Sequence, residues 1–464
     1  MSVEKHETPE GKAIERRDFI KRAAIGMSAM ALGLVALGCN GSSSSSTGTT
    51  SSQPLTFAVI TDIHVLDGDL LGDSGTAYDT YVAADPKMLN LSEDTLDVAL
   101  ASILSAKPSF VIIPGDLTKD GEYVDHLVVA GRLSVLVAAG IPVYVVPGNH
   151  DINNPSAYNY LTNAAAPNIT PSQFQAIYGP YGYSTALYKD PNSLSYIAEP
   201  APGLWLFAID SCEYQNNLTL GTPVTAGQIG ASTLTWLESH LALAQAQGKV
   251  VIGMEHHLIM EHFTGQETFF PDYILSNYLT AGPALAAAGL NLIFTGHFHA
   301  NDVAQTTYSN GFTLTDVATG STVIAPCPYR FVTANLSAKT FKITTSTVGS
   351  LPDNPDYATS SLWQTYEDTF IYNGMNGVAQ AMLEAAPYAV PAATAQEISP
   401  AFATAIAAFY AGDPTFSNAP ASIVTLTDAL VGSANTEVAQ LGAAIMQIWK
   451  PNATLDDNNL TITL

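Results

Sequence analysis

The sequence predicts an α/β fold in which two mixed β-sheets form a layered sandwich flanked by helices, followed by a C-terminal helical appendage. Two observations lead to this prediction. Short apolar segments alternate with segments of helical spacing from residue 55 to about 299, and strand-like segments without helices follow from about 311. The 464 residues are 47% hydrophobic and only 12% charged, so the chain can bury a large core.

The individual elements can be placed in chain order. Buried strands are predicted at 55–60, 109–114, 141–147, 203–210, 249–254 and 291–295. Helices are predicted at 91–106, 123–140, 227–247 and 281–289. Segments 311–318, 321–326, 329–337 and 341–348 are predicted to be strands that close a second sheet. Ala-rich segments between 360 and 449 predict helices that pack on the preceding domain or make an oligomer contact.

The N-terminus has the pattern of a targeting signal. Arg16 and Arg17 precede a modestly apolar stretch from Ala23 to Leu37, which is too short for a transmembrane span. This segment resembles a twin-arginine export signal, and "VALGC" resembles a bacterial lipoprotein processing box with Cys39 as the lipidated residue. We therefore expect an exported protein in the periplasm or at the cell surface, held to the membrane by a lipid at Cys39.

These patterns divide the chain into four parts. The expected boundaries are an export signal at 1–39, a Ser/Thr-rich tether at 40–54, the main α/β domain at 55–349 and a helical region at 350–464. Cys212 and Cys327 remain after Cys39, and they could form one disulfide or stay free.

Charge excludes one class of partner. The formal net charge is −25, and Arg132 and Arg330 are the only arginines beyond the N-terminal signal. Nucleic-acid binding needs clustered Lys and Arg to neutralise phosphates, so a nucleic-acid polymer is excluded as a partner. If this chain binds a phosphate group, the negative charge of that group would have to be neutralised by something other than side-chain cations.

Polar side chains with metal-binding groups follow five of the predicted strands. In open α/β sheets, ligands bind beyond the carboxyl ends of strands, so these side chains are expected to meet. The set comprises Asp62 and His64, Asp116, Asn149, His256, and His297 and His299. Imidazole and carboxylate without thiolate suit transition metals such as Zn, Mn or Fe. Seven groups are too many for one catalytic site but enough for two metals that share a carboxylate.

The motifs at these strand ends, "TDIH", "PGDL", "PGNHD", "MEHH" and "TGHFH", resemble in type and order those of the calcineurin-like metallophosphoesterase family. The resemblance covers about residues 55–345. It implies the layered α/β sandwich, two divalent or trivalent transition-metal ions (Fe, Mn or Zn) and hydrolysis of phosphate esters by attack of a metal-bound hydroxide.

The resemblance also implies roles for single residues. Asp62, His64 and His299 would hold one metal, Asn149, His256 and His297 the other, and Asp116 would bridge them. His150 would act as an acid or hydrogen-bond donor beside the phosphate, and Asp151 would orient it. Leu258 replaces a proline frequent in the family, which leaves His256 or His257 as the ligand, with His256 favoured.

Further site residues follow from position alone. Arg330 lies just past the ligand-bearing strands and could contact phosphate or form a structural ion pair, and His257 could contact substrate. The acid-rich segment 67–86 is expected to be a solvated loop near the mouth of the site.

The predicted function is hydrolysis of a small phosphate ester by an exported enzyme. Within the resemblance, "GNHD" favours the phosphodiesterase branch of the family. The scarcity of cations also favours a phosphodiester, because a singly charged diester needs less neutralisation than a doubly charged monoester. A phosphomonoesterase or nucleotide phosphatase is the alternative. A further alternative is a non-catalytic surface lipoprotein that kept the fold. It is disfavoured because all the predicted metal ligands and His150 are present.

Overall fold

The fold is described from a computed structural model, which describes residues 55–385, 389–412, 414, 416–449 and 455–464. The predicted export signal with Cys39 and the tether at 40–54 lie outside the described residues. None of the helices in the described part of the chain has both the length and the apolar character to cross a membrane.

The described residues contain fifteen strands. They are β1 (Leu55–Val59), β2 (Phe110–Ile113), β3 (Val143–Val145), β4 (Tyr158–Asn159), β5 (Ala164–Ala165), β6 (Tyr188–Lys189), β7 (Tyr196–Ala201), β8 (Leu204–Ala208), β9 (Val250–Met254), β10 (Leu292–Thr295), β11 (Val303–Thr307), β12 (Thr313–Ala318), β13 (Pro328–Asn335), β14 (Thr340–Thr347) and β15 (Asn459–Thr463).

The helices lie between these strands and after β14. They are α1 (Gly68–Leu71), α2 (Thr76–Ala84), α3 (Ser92–Ala106), α4 (Tyr123–Ala138), α5 (Pro171–Ile177), α6 (Asn217–Leu220), α7 (Ala231–Ala246), α8 (Gln266–Phe269), α9 (Tyr278–Ala288), α10 (Ser360–Glu384), α11 (Ala392–Ala411), α12 (Ala421–Val431) and α13 (Thr436–Ile448).

Two mixed sheets form the centre of the molecule. One has the strand order β15-β14-β13-β1-β2-β3, and the other has the order β11-β12-β10-β9-β8-β7-β6. Strands β1, β2 and β3 are parallel, as are β8, β9, β10 and β12. All four residues of β2 are buried, which explains its uninterrupted apolar sequence, because parallel strands are covered on both faces.

The main core lies between the two sheets. Phe57 of β1 stacks on Phe110 of β2 with ring centroids 4.7 Å apart, and it meets Phe294 of β10 edge-to-face at 5.5 Å. Phe57 therefore joins one sheet to the other. Helix α3 covers the first sheet with Leu96, Leu100 and Ile103, whose spacing places them on one helical face. The predicted layered α/β sandwich with C-terminal helices is confirmed.

The strands after residue 311 differ from the expectation. They do not close one sheet together, because β11 and β12 extend the seven-stranded sheet whereas β13 and β14 pair with each other and with β1. The predicted strand at 321–326 is wrong. Thr61 and Ser321 form one isolated bridge, and turns follow. The segment looked like a strand because Val323, Ile324 and Ala325 are apolar, and these residues are buried. The acid-rich segment 67–86 forms α1 and α2 where a solvated loop was expected.

The C-terminal helices pack on the sandwich. Phe409 of α11 contacts Phe298, in the loop after β10, with ring centroids 5.7 Å apart, and both belong to a core that also contains residues of α10 and α13. The chain then returns to the first sheet, where β15 pairs antiparallel with β14. The C-terminal helices therefore lie, in chain order, between two strands that pair with each other. Strand β15 was not predicted from the sequence.

Candidate metal centre

The seven predicted ligands lie in the loops that follow β1, β2, β3, β9 and β10. Five of them have a left-handed backbone, with φ of 50° at Asp62, 39° at His64, 49° at Asp116, 67° at His297 and 60° at His299. Residues other than glycine rarely adopt this conformation, and such strain is concentrated at functional sites. The tight turns let these loops bring side chains from separate strands to one place.

One group of side chains contains Asp62, His64, Asp116 and His299. The Nε2 atoms of His64 and His299 are 3.2 Å apart. Nε2 of His64 lies 3.6 Å from Oδ2 of Asp116, and Nε2 of His299 lies 3.4 Å from Oδ1 of Asp62. Each residue can thus offer one ligand atom to a single ion.

A second group contains Asp116, His256 and His297. Nε2 of His256 is 3.3 Å from Oδ2 of Asp116 and 3.0 Å from Oδ1 of Asn149. The structure therefore places Asn149 beside the second group. Asp116 is common to both groups, which is the position that a bridging carboxylate occupies in a site with two metals.

Contacts beyond these two groups fix the side chains. Nδ1 of His256 lies 2.8 Å from the carbonyl oxygen of Pro114, which leaves Nε2 directed at Asp116. The carboxylate of Asp62 accepts hydrogen bonds from Thr61 Oγ1 and from the backbone N–H of His297. Such outer contacts set the orientation and the tautomer of metal ligands.

The residues present fit a metal centre. Two loop glycines allow the approach of the side chains, because a Cβ at Gly115 would lie 2.7 Å from Nδ1 of His256 and one at Gly296 would lie 2.3 Å from Oδ2 of Asp62. Nδ1 of His64 is buried and has no hydrogen-bond partner among the described residues. Burial and the charge of Lys87 hold the pKa of His64 well below its usual value, so the ring is neutral, as a ligand must be.

His150 stands at the edge of the two groups, with 17% of its side chain exposed. Nδ1 lies 2.8 Å from Oδ1 of Asp120, and Nε2 lies 4.0 Å from Oδ2 of Asp116. Burial and Lys87 lower the pKa of His150, but Asp116 and Asp120 outweigh them and raise it above the usual value. The ring can therefore carry a proton near neutral pH.

The structure gives Asp151 other contacts than the expected one with the imidazole of His150. Its carboxylate accepts hydrogen bonds from the backbone N–H groups of Leu117, Thr118 and Gly148, and from the Thr118 hydroxyl. These bonds tie the loop after β2 to the loop after β3. Asp120, which sequence reasoning missed, is the carboxylate that contacts the imidazole of His150.

His257 and Arg330, which were expected to contact substrate, make contacts within the protein. Both ring nitrogens of His257 are used, by Oγ of Ser211 at 2.8 Å and the carbonyl oxygen of Thr225 at 2.9 Å, whereas His256 faces Asp116. The guanidinium of Arg330 is fully buried and donates to groups that include the carbonyl oxygens of Ala318 and Asp457. Cys212 and Cys327 are buried free thiols.

Three further residues at the site were not predicted. Lys87 lies with Nζ 3.5 Å from Nε2 of His150. Tyr273 stacks on His297 with ring centroids 4.8 Å apart, and Tyr410 of α11 lies 6.4 Å from the ring of His299. No local sequence pattern marks them, because each reaches the site from a segment outside the strand-end motifs.

Comparison with known proteins agrees with the motifs. The sequence profile described as calcineurin-like phosphoesterase matches residues 55–301, which are 247 of the 464 residues. No curated protein matches the sequence. Among solved structures, a dimetal phosphatase from Danio rerio is similar, with a TM-score of 0.45 and 16% identity over 64% of this chain and 97% of that one. GAP50, the anchor in the inner membrane complex of Plasmodium, is similar with a TM-score of 0.32 and 13% identity over 63% and 84% of the two chains.

Proposed function

This chain belongs to the calcineurin-like phosphoesterase family. We propose that it is an exported phosphodiesterase that works with two transition-metal ions. Hydrolysis of phosphoric ester bonds follows from the family. The preference for diesters, the metals (Fe, Mn or Zn) and the location outside the cytoplasm are the proposed parts.

The observation that carries the proposal is the position of Asp116 in two buried groups of imidazoles and carboxylates. Two bound metal ions would supply Lewis acidity, a nucleophile from water at neutral pH and a clamp on the oxygens of an in-line displacement. The chain orients the ligands through Pro114 and Thr61. His150 stands where it can give a proton, or a hydrogen bond, to the leaving-group oxygen.

The charge around the site supports a diester. The Nζ atom of Lys87 lies 2.8 Å from Oδ2 of Asp85, so this ion pair adds a hydrogen-bond donor but little net positive charge. A singly charged diester then suits the site better than a doubly charged monoester. A phosphomonoesterase or nucleotide phosphatase is the second candidate, and the ammonium of Lys87 is the observation that favours it.

The proposed location rests on the N-terminal sequence. Arg16 and Arg17 with the following apolar stretch support export, and Cys39 supports a lipid anchor to the membrane. The substrate would then be a small phosphate ester outside the cytoplasm. An oligomer contact through the C-terminal helices stays a prediction.

Turnover of two aryl esters tests the proposal. The purified protein, loaded with Mn, Zn or Fe, is assayed with bis(4-nitrophenyl) phosphate and with 4-nitrophenyl phosphate. We expect a higher kcat/KM for the diester. A higher kcat/KM for the monoester would replace the diesterase with a phosphomonoesterase, and absence of turnover with every metal would contradict catalysis.

A further inference from the structure

Lys87 is a buried cation at the candidate metal centre to which the family motifs assign no role. Only 3% of its side chain is exposed, and Nζ lies 3.5 Å from Nε2 of His150. A buried ammonium is costly unless it is paired, and its partner among the described residues is Asp85. The side chain of Asp85 is 39% exposed, so the pair joins a buried ammonium to a partly exposed carboxylate.

The charge of Lys87 reaches the residues around the metal positions. Its Nζ lies 3.5 Å from Nε2 of His150, and the ring centroid of His150 lies 4.9 Å from that of His64. The ammonium therefore stands close to both the first group of ligands and the proposed leaving-group acid. An ammonium in this place can meet a phosphate oxygen that enters between them.

We propose that Lys87 donates a hydrogen bond to a non-bridging oxygen of the scissile phosphate and that Asp85 sets the charge selectivity of the site. The inference rests on the proposed phosphoesterase function. With Asp85 beside it, the ammonium is largely neutralised and suits a monoanionic diester. Without Asp85, the same ammonium would attract a dianionic monoester more strongly, because the attraction grows with the charge of the ligand.

The C-terminal helices hold this pair in place. Pro86 separates Asp85 from Lys87, and a Cβ at Gly374 of α10 would lie 2.3 Å from Cβ of Pro86. The backbone N–H of Lys87 donates to the carbonyl oxygen of Asp85, and that of Met88 donates to the carbonyl oxygen of Val323. The turn at 85–88 is thus fixed between α10 and the sandwich, so α10 positions Lys87.

Selectivity between two esters tests the role of the ion pair. The metal-loaded full chain with Lys87→Met, Lys87→Arg or Asp85→Asn is assayed on bis(4-nitrophenyl) phosphate and 4-nitrophenyl phosphate, with metal content and Tm measured in parallel. For Lys87→Met we expect kcat/KM to fall roughly 10- to 100-fold, as for loss of a hydrogen bond to a charged group, and more for the monoester. Lys87→Arg should retain most of the activity.

Asp85→Asn should shift the ratio of the two kcat/KM values in the opposite direction, towards the monoester. Opposite shifts from the two halves of one ion pair would not arise from a purely structural role. Shifts in the same direction, or an unchanged ratio in Asp85→Asn, would overturn the proposal even if Lys87→Met failed to fold. Calorimetric binding of inorganic phosphate to the metal-loaded protein gives a readout without turnover, and Lys87→Met should weaken it about tenfold or more.

These outcomes separate the inference from the proposed function. If the wild type hydrolyses either ester, the phosphoesterase function stands whatever the variants show. If the wild type hydrolyses neither ester but phosphate binding still depends on Lys87, the contact stands without the function.

A pair of glycine variants in α10 tests the positioning. Gly374→Ala places a methyl group against Pro86. A Cβ at Gly377 would have no atom of the described residues within 4 Å, so Gly377→Ala is the matched control. We expect Gly374→Ala to lower kcat/KM more for the monoester than for the diester, and Gly377→Ala to leave both unchanged. A change of Tm in Gly374→Ala without a change of the ratio would overturn the positioning by α10.

Discussion

The imidazole of His150 and the carboxylate of Asp120 are 2.8 Å apart, from Nδ1 to Oδ1. This contact leaves Nε2 of His150 on the side of Asp116 and Lys87. A carboxylate in this position fixes the tautomer of the ring and stabilises its protonated form. The contact therefore suits the proposed role of His150 in proton transfer.

His150→Ala should separate chemistry from metal binding. The variant should keep its metals, because the ring belongs to neither ligand group, and should lose about 10²–10⁴-fold in turnover of an alkyl phosphodiester. An aryl diester, whose leaving group needs less protonation, should lose less. Elemental analysis and the two kcat values check this. Loss of metal would make His150 a ligand, and equal losses would leave it as a phosphate-binding donor.

Asp120→Asn and Asp151→Asn should have different effects. Asp120→Asn removes the charge beside His150, so turnover should fall, roughly tenfold or more, with a steeper dependence on the leaving group. Asp151→Asn should instead lower the Tm, because one carboxylate accepts hydrogen bonds from Leu117, Thr118 and Gly148. Kinetics across a series of aryl diesters and thermal unfolding check the pair. An altered leaving-group dependence in Asp151→Asn alone would reverse the assignment.

Asp116→Asn should weaken both metal sites. Its carboxylate belongs to both groups of side chains, so one substitution removes a shared ligand. We expect the metal content measured by elemental analysis to fall below one ion per chain after dialysis, against about two in the parent protein. Asp79→Asn, at an exposed position of α2, is the control. Two retained ions in Asp116→Asn would contradict a bridging role.

Glu367 of α10 should make stability depend on pH. Burial and Asp368 raise its pKa to about 8, against a hydrogen bond with Cys327. The folded protein therefore holds a proton that the unfolded chain loses above about pH 4.5. This contribution to stability is complete below about pH 4.5 and is lost as the pH rises through 8.

Glu367→Gln should remove that dependence, so its Tm relative to the parent protein should increase from pH 5 to pH 9. Glu384→Gln, at an exposed position of the same helix, controls for the removal of one carboxylate. Thermal unfolding followed by circular dichroism checks both. A constant Tm difference across this range would show that Glu367 is not held protonated.

Two N-terminal substitutions should reveal the location. Lys in place of both Arg16 and Arg17 should block export, because recognition of a twin-arginine signal needs the pair. Cys39→Ser should still be exported but should leave the membrane fraction. Cell fractionation with immunoblotting checks both variants. A Cys39→Ser protein that stays in the membrane fraction would exclude the lipid anchor.

The sequence could mark the candidate ligands because their pattern is local. Each candidate ligand follows an apolar strand within a few residues, and parallel strands bring their carboxyl ends to one edge. Asp120 could not be chosen over Asp151 in the same way. Asp151 is adjacent to His150 in the chain, whereas Asp120 approaches it only because the loops after β2 and β3 pack together.

Lys87 and β15 were missed for a related reason. Lys87 follows Pro86, which lies against Gly374 of α10, almost three hundred residues later in the chain. Strand β15 pairs with β14 although the whole helical region separates them in the sequence. Its five residues form too short a pattern to predict such a distant pairing. The position of Lys87 and the pairing of β15 both depend on contacts between distant parts of the chain, which a local sequence pattern does not show.

The return of the chain to β15 limits how the protein can be shortened. Removing everything after residue 349 would take away an edge strand as well as the helices, and would expose the backbone N–H and C=O groups of β14. An uncovered strand edge is a template for aggregation. It would also remove Asp457, which accepts hydrogen bonds from Arg330 of one sheet and Val303 of the other. A shortened form should therefore keep residues 455–464, and it should also keep α10, which packs against the turn that carries Lys87.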